Sequence, residues 1–344
     1  MSKIRLALYP LGILYDGITR IKNSLYSKGI IKSKTFPIPL IVIGNLSVGG
    51  TGKTPHTEYI AKLFDTHKKT AVLSRGYGRK TKGYILANSK STAKQIGDEP
   101  LQISQNLPLV NVAVCEDRTT GVKKLIAHES AELIILDDAF QHRKILGSYY
   151  ILITTYQQPY FSDFVLPTGN LRESKSNSSR ANIIVISKCP EDLSLTDKNT
   201  FISKVQPLSH QSVFFSYIKY ASAKKFHGNA NWETSNNVLL VTGIVNPTPL
   251  RQHLESTGKV VTSFTYSDHY EYTQNDILKI TEFLTHQKNN FVVATTSKDK
   301  VKLQELISHE DSSFSFFEIP ITVGFLFNEE EEFKSIIKKH VSTF

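Results

Sequence analysis

The 344-residue sequence contains only two cysteines, Cys115 and Cys189, far apart and without cysteine or histidine neighbours at metal-site spacing. So few and scattered cysteines argue against a disulfide framework and a zinc site, and they are typical of a reducing compartment. Long hydrophobic runs are also missing. The longest uncharged run near the N-terminus, residues 6–15, contains Pro10 and Gly12, whereas a membrane-spanning helix needs about 20 apolar residues. We therefore expect neither a transmembrane helix nor a secretory signal in this region.

Acidic residues are in the minority. Lys and Arg total 41 against 31 Asp and Glu, which gives a formal net charge of +10. A basic protein suits an anionic partner, and composition alone leaves nucleic acid, a phosphorylated substrate and a membrane surface open. Apolar residues make up 40% and charged residues 21% of the chain, the mixture expected of a globular core. The length favours two domains.

Residues 1–36 form a basic N-terminal region, with seven Lys and Arg residues against a single acid, Asp16. Apolar residues recur there at intervals of three, four or seven, which places them on one helical face. They are Ile4, Leu8, Leu11, Tyr15, Ile18 and Leu25. The pattern predicts an amphipathic helix that Pro10 starts or kinks. Either the apolar face lies on a membrane and the basic residues meet anionic lipid, or that face packs on the protein's own core.

The segment VIGNLSVGGTGKTPHTEYI, residues 42–60, has the organisation of a phosphate-binding loop. A β-branched apolar run at 38–44 predicts a buried parallel strand, and residues 54–64 predict a helix whose first turn tolerates proline. Between them, backbone N–H groups would cradle phosphate oxygens, with Lys53 on the β and γ phosphates and Thr54 on Mg²⁺. The predicted nucleotide-binding residues are Ser47, Val48, Gly49, Gly50, Thr51, Gly52, Lys53 and Thr54. Ser47 stands where the common motif has glycine.

A pair of acids follows a second apolar run. Residues 133–136 predict a strand that delivers Asp137 and Asp138 to the carboxyl edge of the sheet, where ligands bind in open α/β folds. Two adjacent carboxylates repel each other unless a cation lies beside them. The pair therefore indicates a metal that accompanies the nucleotide.

Two further charged segments lie between these motifs. In GDEP, Asp98 and Glu99 precede a helical stretch, where they either act in the site or compensate the dipole of that helix. The segment SRGYGR follows a strand and places Arg75 and Arg79 among glycines and an aromatic residue. Arginines on such a loop suit an anionic substrate.

With these segments assembled, the sequence resembles the tetraacyldisaccharide 4'-kinase family, the lipid A 4'-kinases of Gram-negative bacteria. The matching strings are GNLSVGGTGKTP, SRGYGR, GDEP, LDDAFQHR, LPTGNLRE and SDHY, in the family's order over residues 44–270. VGGTGKTP and DDxFQHR are specific strings. Two positions depart from the family pattern. Ala139 replaces a usual glycine, and Tyr270 replaces a second histidine, so no role for a histidine is carried over there.

The resemblance implies transfer of the γ-phosphoryl group of ATP to the 4'-hydroxyl of a tetraacyldisaccharide 1-phosphate, a lipid A precursor. The product is the 1,4'-bisphosphate, lipid IVA. Asp98 becomes the catalytic base and His269 its partner, beside Lys53. The predicted Mg²⁺ ligands are Thr54, Glu99, Asp137, Asp138 and Glu173, and the predicted substrate-binding residues are Arg75 and Arg172. Because the acceptor is a membrane lipid, the resemblance favours the membrane role of the N-terminal helix, at the cytoplasmic face of the inner membrane of a Gram-negative bacterium.

The alternation of strand and helix patterns predicts an α/β fold, a P-loop NTPase-like α/β/α sandwich with a mainly parallel sheet and a second, smaller α/β domain. We predict a helical region at 1–36, the kinase domain at 37–210, a strand-rich linker at 211–235 and a C-terminal domain at 236–344. The second domain has no glycine-rich phosphate loop. Its expected role is that of a lid that brings His269 over the nucleotide.

The motifs alone leave other functions open. A P-loop GTPase or ATPase switch, or a metal-insertion chaperone, would hydrolyse nucleotide without a small-molecule acceptor. A nucleic-acid-binding ATPase needs a basic stripe with aromatic platforms, whereas the strongest basic cluster here lies beside an apolar helical face. The segments SKCP at 187–190 and SKD at 297–299 resemble the guanine-reading motif of GTPases but lack its asparagine. The missing asparagine favours ATP over GTP. Together with the family resemblance, which implies the lipid A precursor and the membrane surface as partners, this leads us to expect ATP and Mg²⁺ as ligands and neither nucleic acid nor an obligate protein partner.

Overall fold

The computed structural model describes residues 5, 8–287, 290–307 and 314–344, in which helices and strands alternate. The helices are α1 (Tyr9–Ser27), α2 (Lys53–Lys62), α3 (Ala93–Ile96), α4 (Asp98–Asn106), α5 (Arg118–Glu129), α6 (Leu195–Val205), α7 (Thr248–Ser256), α8 (Gln274–Thr285), α9 (Ser297–Leu303) and α10 (Glu330–Thr343). The strands are β1 (Leu40–Gly44), β2 (Thr70–Ser74), β3 (Ile85–Leu86), β4 (Asn111–Val114), β5 (Leu133–Leu136), β6 (Tyr149–Thr155), β7 (Ile183–Ser187), β8 (Ser212–Tyr220), β9 (Lys224–His227), β10 (Asn237–Thr242), β11 (Val260–Thr265), β12 (Phe291–Thr296), β13 (Phe316–Ile319) and β14 (Ile321–Phe325).

The first sheet has nine strands in the order β14-β8-β7-β6-β1-β5-β2-β4-β3. Neighbours from β8 to β4 are parallel, and the edge pairs β14–β8 and β3–β4 are antiparallel. The central strands are continuous apolar runs, as expected where both faces of a parallel sheet are covered. Along β1, Ile41 and Ile43 pack in one core and Leu40 and Val42 in another, because successive side chains point to opposite faces.

The second sheet has five strands in the order β11-β10-β12-β13-β9. Its first four strands are parallel, and β9 is antiparallel to β13. Apolar runs such as VLLV at 238–241 are buried throughout. The two mainly parallel sheets confirm the predicted fold class, an α/β sandwich with a second, smaller α/β unit.

The chain crosses between the sheets twice. Within the predicted linker, β8 joins the first sheet and β9 the second. At the other end, β14 pairs with β8, and Phe333, Ile337 and Val341 of α10 enter the core of the first sheet. Their spacing of four residues gives α10 one apolar face, which the first sheet covers. Residues 321–344 thus pack on the first sheet, whereas the sequence assigned them to the C-terminal domain. The domain boundaries themselves stay a prediction.

Helix α1 contacts the rest of the protein through its polar side. Pro10 lies in its first turn. Gly12 is buried against Thr168, so closely that a Cβ would clash with the threonine hydroxyl. The Tyr15 hydroxyl donates to the backbone carbonyl of Arg172 at 2.8 Å. Asn23 is also buried. The helix is therefore fixed to the protein by hydrogen bonds and one close backbone approach.

The opposite side of α1 exposes apolar residues. Leu11, Leu14, Ile18 and Ile21 are 54–64% exposed. Two of the side chains predicted to share one face thus separate, because Leu11 points outward while Tyr15 turns to the protein. Ile4 lies outside the described residues. No helix in the described part of the chain is long and apolar enough to cross a membrane.

Candidate active site

The phosphate loop lies between the carboxyl end of β1 and the first turn of α2. Gly49 and Gly52 have φ values of 100° and 88°, so glycine is needed at both positions. Helix α2 begins at Lys53, so its free backbone N–H groups and the positive end of its dipole face the loop, an arrangement that binds phosphate. All the predicted nucleotide-binding residues, from Ser47 to Thr54, belong to this loop or the first turn of the helix.

The segment LPTGNLRE lies along the start of the loop. Val48 N donates to Asn170 O at 2.8 Å, and Arg172 N donates to Leu46 O at 2.7 Å. A bridge between Ser47 and Leu171 completes the pairing. This contact explains how two segments more than a hundred residues apart in sequence share one site, and it delivers the predicted Arg172 to the phosphate loop.

The two acids after β5 lie beside the phosphate loop, because β5 is the direct neighbour of β1. Asp137 is 1% exposed. Its Oδ1 accepts from Thr57 Oγ1 at 2.9 Å, and its Oδ2 has no hydrogen-bond partner among the described residues. Burial, Glu99 and Asp138 raise the pKa of Asp137 to about 7. A buried carboxylate with one unpartnered oxygen, repelled by two neighbouring acids, is a site that a cation would stabilise.

Asp138 is already surrounded by positive charge. Arg172 Nη1 donates to both of its carboxylate oxygens, at 3.0 and 3.1 Å, and Lys53 Nζ lies 3.7 Å from Oδ1. The phosphate loop lysine, the acid pair and the predicted substrate arginine thus form one charged cluster. Such a cluster can exchange ion pairs within the protein for contacts with phosphate oxygens.

The residues predicted to bind Mg²⁺ fall into two groups. Within the described ranges, no three His, Cys, Asp or Glu side chains form a metal-binding group, but Mg²⁺ is commonly bound by one or two carboxylates together with water and substrate phosphates. Asp137 fits that type of site through its unpartnered Oδ2, Glu99 lines the same cavity, and Asp138 would join them on releasing Arg172. Thr54 lies in the first turn of α2, and its metal role stays a prediction. Both oxygens of Glu173 instead accept hydrogen bonds, from Asn23, Gln141 and Arg180. Its metal role stays a prediction, and the structure gives it a second role in fixing α1.

Asp98 and His269 meet although 171 positions separate them in sequence. Asp98 is the first residue of α4, and the two atoms Oδ2 and His269 Nδ1 lie 3.0 Å apart. Burial opposes ionisation of Asp98, but the hydrogen bond from His269 and the charge of Lys302 outweigh it and lower the pKa of Asp98 to about 2. The same hydrogen bond raises the pKa of His269. Asp98 is therefore an ionised carboxylate that accepts a hydrogen bond from the imidazole of His269.

Lys302, which local sequence patterns did not predict, is a second partner of Asp98. Its Nζ lies 3.4 Å from Asp98 Oδ2, donates to Tyr270 O at 2.9 Å, and lies 3.7 Å from Asp299 Oδ1. The Asp299-to-Lys302 spacing in the segment SKDKVK is the signal that could have found it, since residues three apart share one helical face. Lys302 comes from the second sheet unit, so it holds that unit to the predicted base.

One cavity of about 630 Å³ joins these groups. Of the phosphate loop, all of which the structure describes, only Val48 lines it, while Lys53 reaches it through its contact with Asp138. The other predicted residues that line it are Arg75, Asp98, Glu99, Asp137, Asp138, Arg172, Glu173 and His269. Tyr15, Thr19 and Asn23 of α1 line the same cavity. One side of α1 therefore forms part of the cavity wall, while the other side exposes apolar residues.

Arg118 and His142 also line the cavity, and the sequence analysis assigned them no role. Arg118 is 3% exposed, and its Nη1 donates to Cys115 O at 3.1 Å. Burial and the charge of Arg118 lower the pKa of His142 to about 4, so the imidazole is neutral at pH 7. Both can bind an acceptor group. The string FQHR contains the histidine, but only the fold shows which way it points.

A phosphate loop, an acid pair on the neighbouring strand and a carboxylate–imidazole pair on the same cavity define a P-loop phosphotransferase. The model of the family described as tetraacyldisaccharide-1-P 4'-kinase matches residues 4–342 of this chain. The tetraacyldisaccharide 4'-kinases of Flavobacterium psychrophilum and Cytophaga hutchinsonii are 41% and 39% identical to it, over 98% of this chain and 97% of each relative.

The solved structures agree. A crystal structure of LpxK from Aquifex aeolicus in complex with ATP has a TM-score of 0.76 and 28% sequence identity to this chain, and the match covers 98% of this chain and 99% of that one. The chain belongs to the tetraacyldisaccharide-1-P 4'-kinase family. The resemblance drawn from its motifs is thereby confirmed, and so is the predicted class of enzyme, an ATP-dependent kinase of lipid A biosynthesis.

Proposed function

We propose that the protein transfers the γ-phosphate of ATP to the 4'-hydroxyl of a tetraacyldisaccharide 1-phosphate and releases the 1,4'-bisphosphate, lipid IVA. The observation that carries the proposal is the Asp98–His269 pair on the cavity that the acid pair Asp137 and Asp138 also lines. A nucleotide switch needs the phosphate loop and the acids. A base that faces them, held by His269 and Lys302 of the second sheet unit, serves an acceptor hydroxyl.

The nucleotide half of the site is formed by the phosphate loop. Its amides and Lys53 bind the phosphates, and Arg172 can leave Asp138 to neutralise charge that develops on the transferred group. The residues that would hold Mg²⁺ are Asp137, Asp138 and Glu99 with the Thr54 hydroxyl. There, the ion would neutralise charge on the β and γ phosphates.

The transfer step moves one proton and one phosphoryl group. Asp98 accepts the proton of the 4'-hydroxyl, the new bond forms between that oxygen and the γ-phosphorus, and the bond to the bridging oxygen of ADP breaks with its electrons going to ADP. Phosphoryl transfer passes through a loose transition state in most analyses, so the hydroxyl proton leaves late and an aligned carboxylate suffices. His269 holds Asp98 in that alignment.

The acceptor half of the site contains two arginines and a neutral histidine, and it is formed partly by α1. Arg75, Arg118 and His142 line the cavity together with Tyr15 and Thr19. Arginine recognises phosphate through paired hydrogen bonds, so these side chains suit an anionic sugar headgroup. The acyl chains would leave the cavity along α1, whose exposed side is apolar.

We propose that the reaction takes place at the cytoplasmic face of the inner membrane of a Gram-negative bacterium, where ATP and the lipid would meet. The exposed Leu11, Leu14, Ile18 and Ile21 of α1 would enter the apolar boundary of the headgroup layer, and Arg20 and neighbouring lysines would meet anionic lipid. Phe164, 46% exposed, packs its ring 6.2 Å from that of Tyr9 and extends the same surface.

Transfer of label from γ-labelled ATP tests the proposed reaction. With a tetraacyldisaccharide 1-phosphate in detergent, we expect one labelled lipid product, and with the same acceptor methylated at its 4'-hydroxyl we expect none. Hydrolysis of ATP without labelled lipid would instead support the alternative, a P-loop GTPase or ATPase switch or a metallochaperone that has no lipid acceptor.

Binding to vesicles tests the membrane surface. The double variant Leu14→Asp, Ile18→Asp should bind phosphatidylglycerol vesicles at least about 10-fold more weakly than wild type, since burial of each such side chain is worth roughly 1.5–3 kcal/mol. Cosedimentation measures the affinity. Leu278→Asp, at a leucine 62% exposed on α8, is the control and should bind like wild type. Equal binding by the double variant would contradict the assignment of this surface.

A further inference from the structure

Three successive carbonyls of the phosphate loop are each held by a side chain from outside the loop. Lys188 Nζ donates to Gly50 O at 2.6 Å, and Ser187 Oγ donates to Thr51 O at 2.7 Å. His56 Nδ1 lies 2.7 Å from Gly52 O, and its Nε2 lies 3.0 Å from Ser216 Oγ. Because a carbonyl only accepts, Nδ1 carries the proton and Nε2 accepts from the serine.

Ser187 and Lys188 lie at the carboxyl end of β7, in the SKCP segment that the proposed reaction leaves without a role. Lys188 has a φ of 56°, a left-handed conformation that is unfavourable for a residue with a Cβ. Cys189 N donates to Ser216 O at 3.0 Å, and Gln157 Nε2 donates to Lys188 O at 3.0 Å. Strand β8 and a side chain that follows β6 thus hold this turn in a conformation that is unfavourable for lysine, and such strain is concentrated at functional positions.

The orientation of Thr51 O and Gly52 O fixes the orientation of the two amides that follow them, whereas the amide that follows Gly50 O, that of Thr51, donates to Gly49 O at 3.1 Å and closes the turn that Lys188 holds. In a planar trans peptide the N–H points away from the C=O. Holding Thr51 O and Gly52 O on one side of the loop therefore turns the N–H groups of Gly52 and Lys53 to the other side. Gly50 and Gly52 have no side chains of their own to stabilise the loop, so donors from β7 and α2 supply that order.

We propose that Lys188 is a positioning residue, which with Ser187 holds the phosphate loop in its nucleotide-binding form through Gly50 O and Thr51 O. The proposal rests on the proposed function, in that the loop binds the phosphates of ATP. The SKCP segment is similar to a guanine-reading motif, but in this proposal its role is to hold the backbone of the phosphate loop.

Calorimetric titration of Lys188→Met with Mg-ATP and Mg-ADP tests the proposal. Methionine keeps an unbranched stem and loses the ammonium. We expect both nucleotides to bind about 10–100-fold more weakly, the loss of one hydrogen bond from a charged donor, and the KM for the lipid acceptor to stay within about twofold. Lys188→Gly, which relieves the left-handed strain, should bind as weakly as Lys188→Met. Lys204→Met, at an exposed lysine of α6, should match wild type.

The possible outcomes separate the alternatives. Binding of both nucleotides by Lys188→Met within about twofold of wild type would overturn the proposal while leaving the proposed function intact. A loss for ATP but not for ADP would also overturn it, since that pattern indicates direct contact with the γ-phosphate. A wild-type protein that bound neither nucleotide would refute the proposed function itself.

Discussion

Replacing Asp98 with asparagine should lower kcat by about 10²–10⁴-fold, the usual contribution of a positioned general base. Asparagine has the same size and can keep one hydrogen bond to His269, but it cannot accept the proton of the 4'-hydroxyl. The KM for ATP should change little, because Asp98 lies on the acceptor side of the cavity. Steady-state transfer of label to the lipid measures both parameters.

The low pKa of Asp98 does not conflict with this role. A carboxylate with a pKa of about 2 is a weak base toward a free hydroxyl. The hydroxyl oxygen becomes far more acidic as its bond to phosphorus forms, and the carboxylate then needs only to be ionised and aligned. His269 and Lys302 keep Asp98 ionised throughout the physiological pH range.

Asp192→Asn, at an exposed aspartate outside the cavity, is the matched control and should keep wild-type kcat. The melting temperature of Asp98→Asn should be measured alongside, since Asp98 also contacts Lys302 across the two sheet units. A folded Asp98→Asn protein with kcat within about tenfold of wild type would contradict the assignment of the base.

Local sequence patterns predicted the nucleotide half of the site because its parts are contiguous. The apolar runs of β1 and β5, which adjoin the loop glycines and the acids, specify strand, turn and helix without help from the rest of the chain. The strand predicted at 133–136 matches β5, and the helix predicted at 54–64 begins one residue earlier and ends two residues earlier.

The acceptor half required information that local patterns lack. Only the family resemblance paired Asp98 with His269, because the contact forms when the second sheet unit packs on the first. Lys302, Arg118 and His142 were missed for the same reason. In α1, the periodicity of apolar residues predicts one apolar face, but it does not show whether the protein or another surface covers that face. The inward position of Tyr15 and the outward position of Leu14 are therefore known only from the structure. The return of β14 to the first sheet is likewise a long-range pairing.

Replacing Asp137 with asparagine should lower kcat by about 10²–10³-fold, since a metal ion at the transferred phosphate is worth several kcal/mol. Wild-type affinity for Mg²⁺ should also depend on pH. The pKa of Asp137 is about 7, so below that pH the ion must displace a proton, and affinity should fall up to about tenfold per pH unit. Titration of activity with Mg²⁺ from pH 5.5 to 8.5 measures this. The variant should lack the dependence.

The folding stability of metal-free Asp137→Asn should rise, whereas its activity should fall. The folded pKa of Asp137 lies above the ordinary value near 3.9, so ionisation of the buried carboxyl destabilises the metal-free fold as pH rises from about 4 through 7. Asparagine keeps the acceptor for Thr57 and removes the charge. In EDTA, the variant should therefore melt slightly above the wild-type temperature at pH 5 and further above it at pH 8.5.

Addition of Mg²⁺ with ATP should raise the melting temperature of the wild type at pH 8.5 more than that of Asp137→Asn. Glu331→Gln, at a side chain 84% exposed, should follow the wild type throughout. If Asp137→Asn melted below wild type at both pH values in EDTA, the carboxylate would act mainly by holding Thr57. The opposite signs for activity and stability are what distinguish a metal-binding carboxylate from a structural one, because only the former is kept at a cost to the metal-free fold.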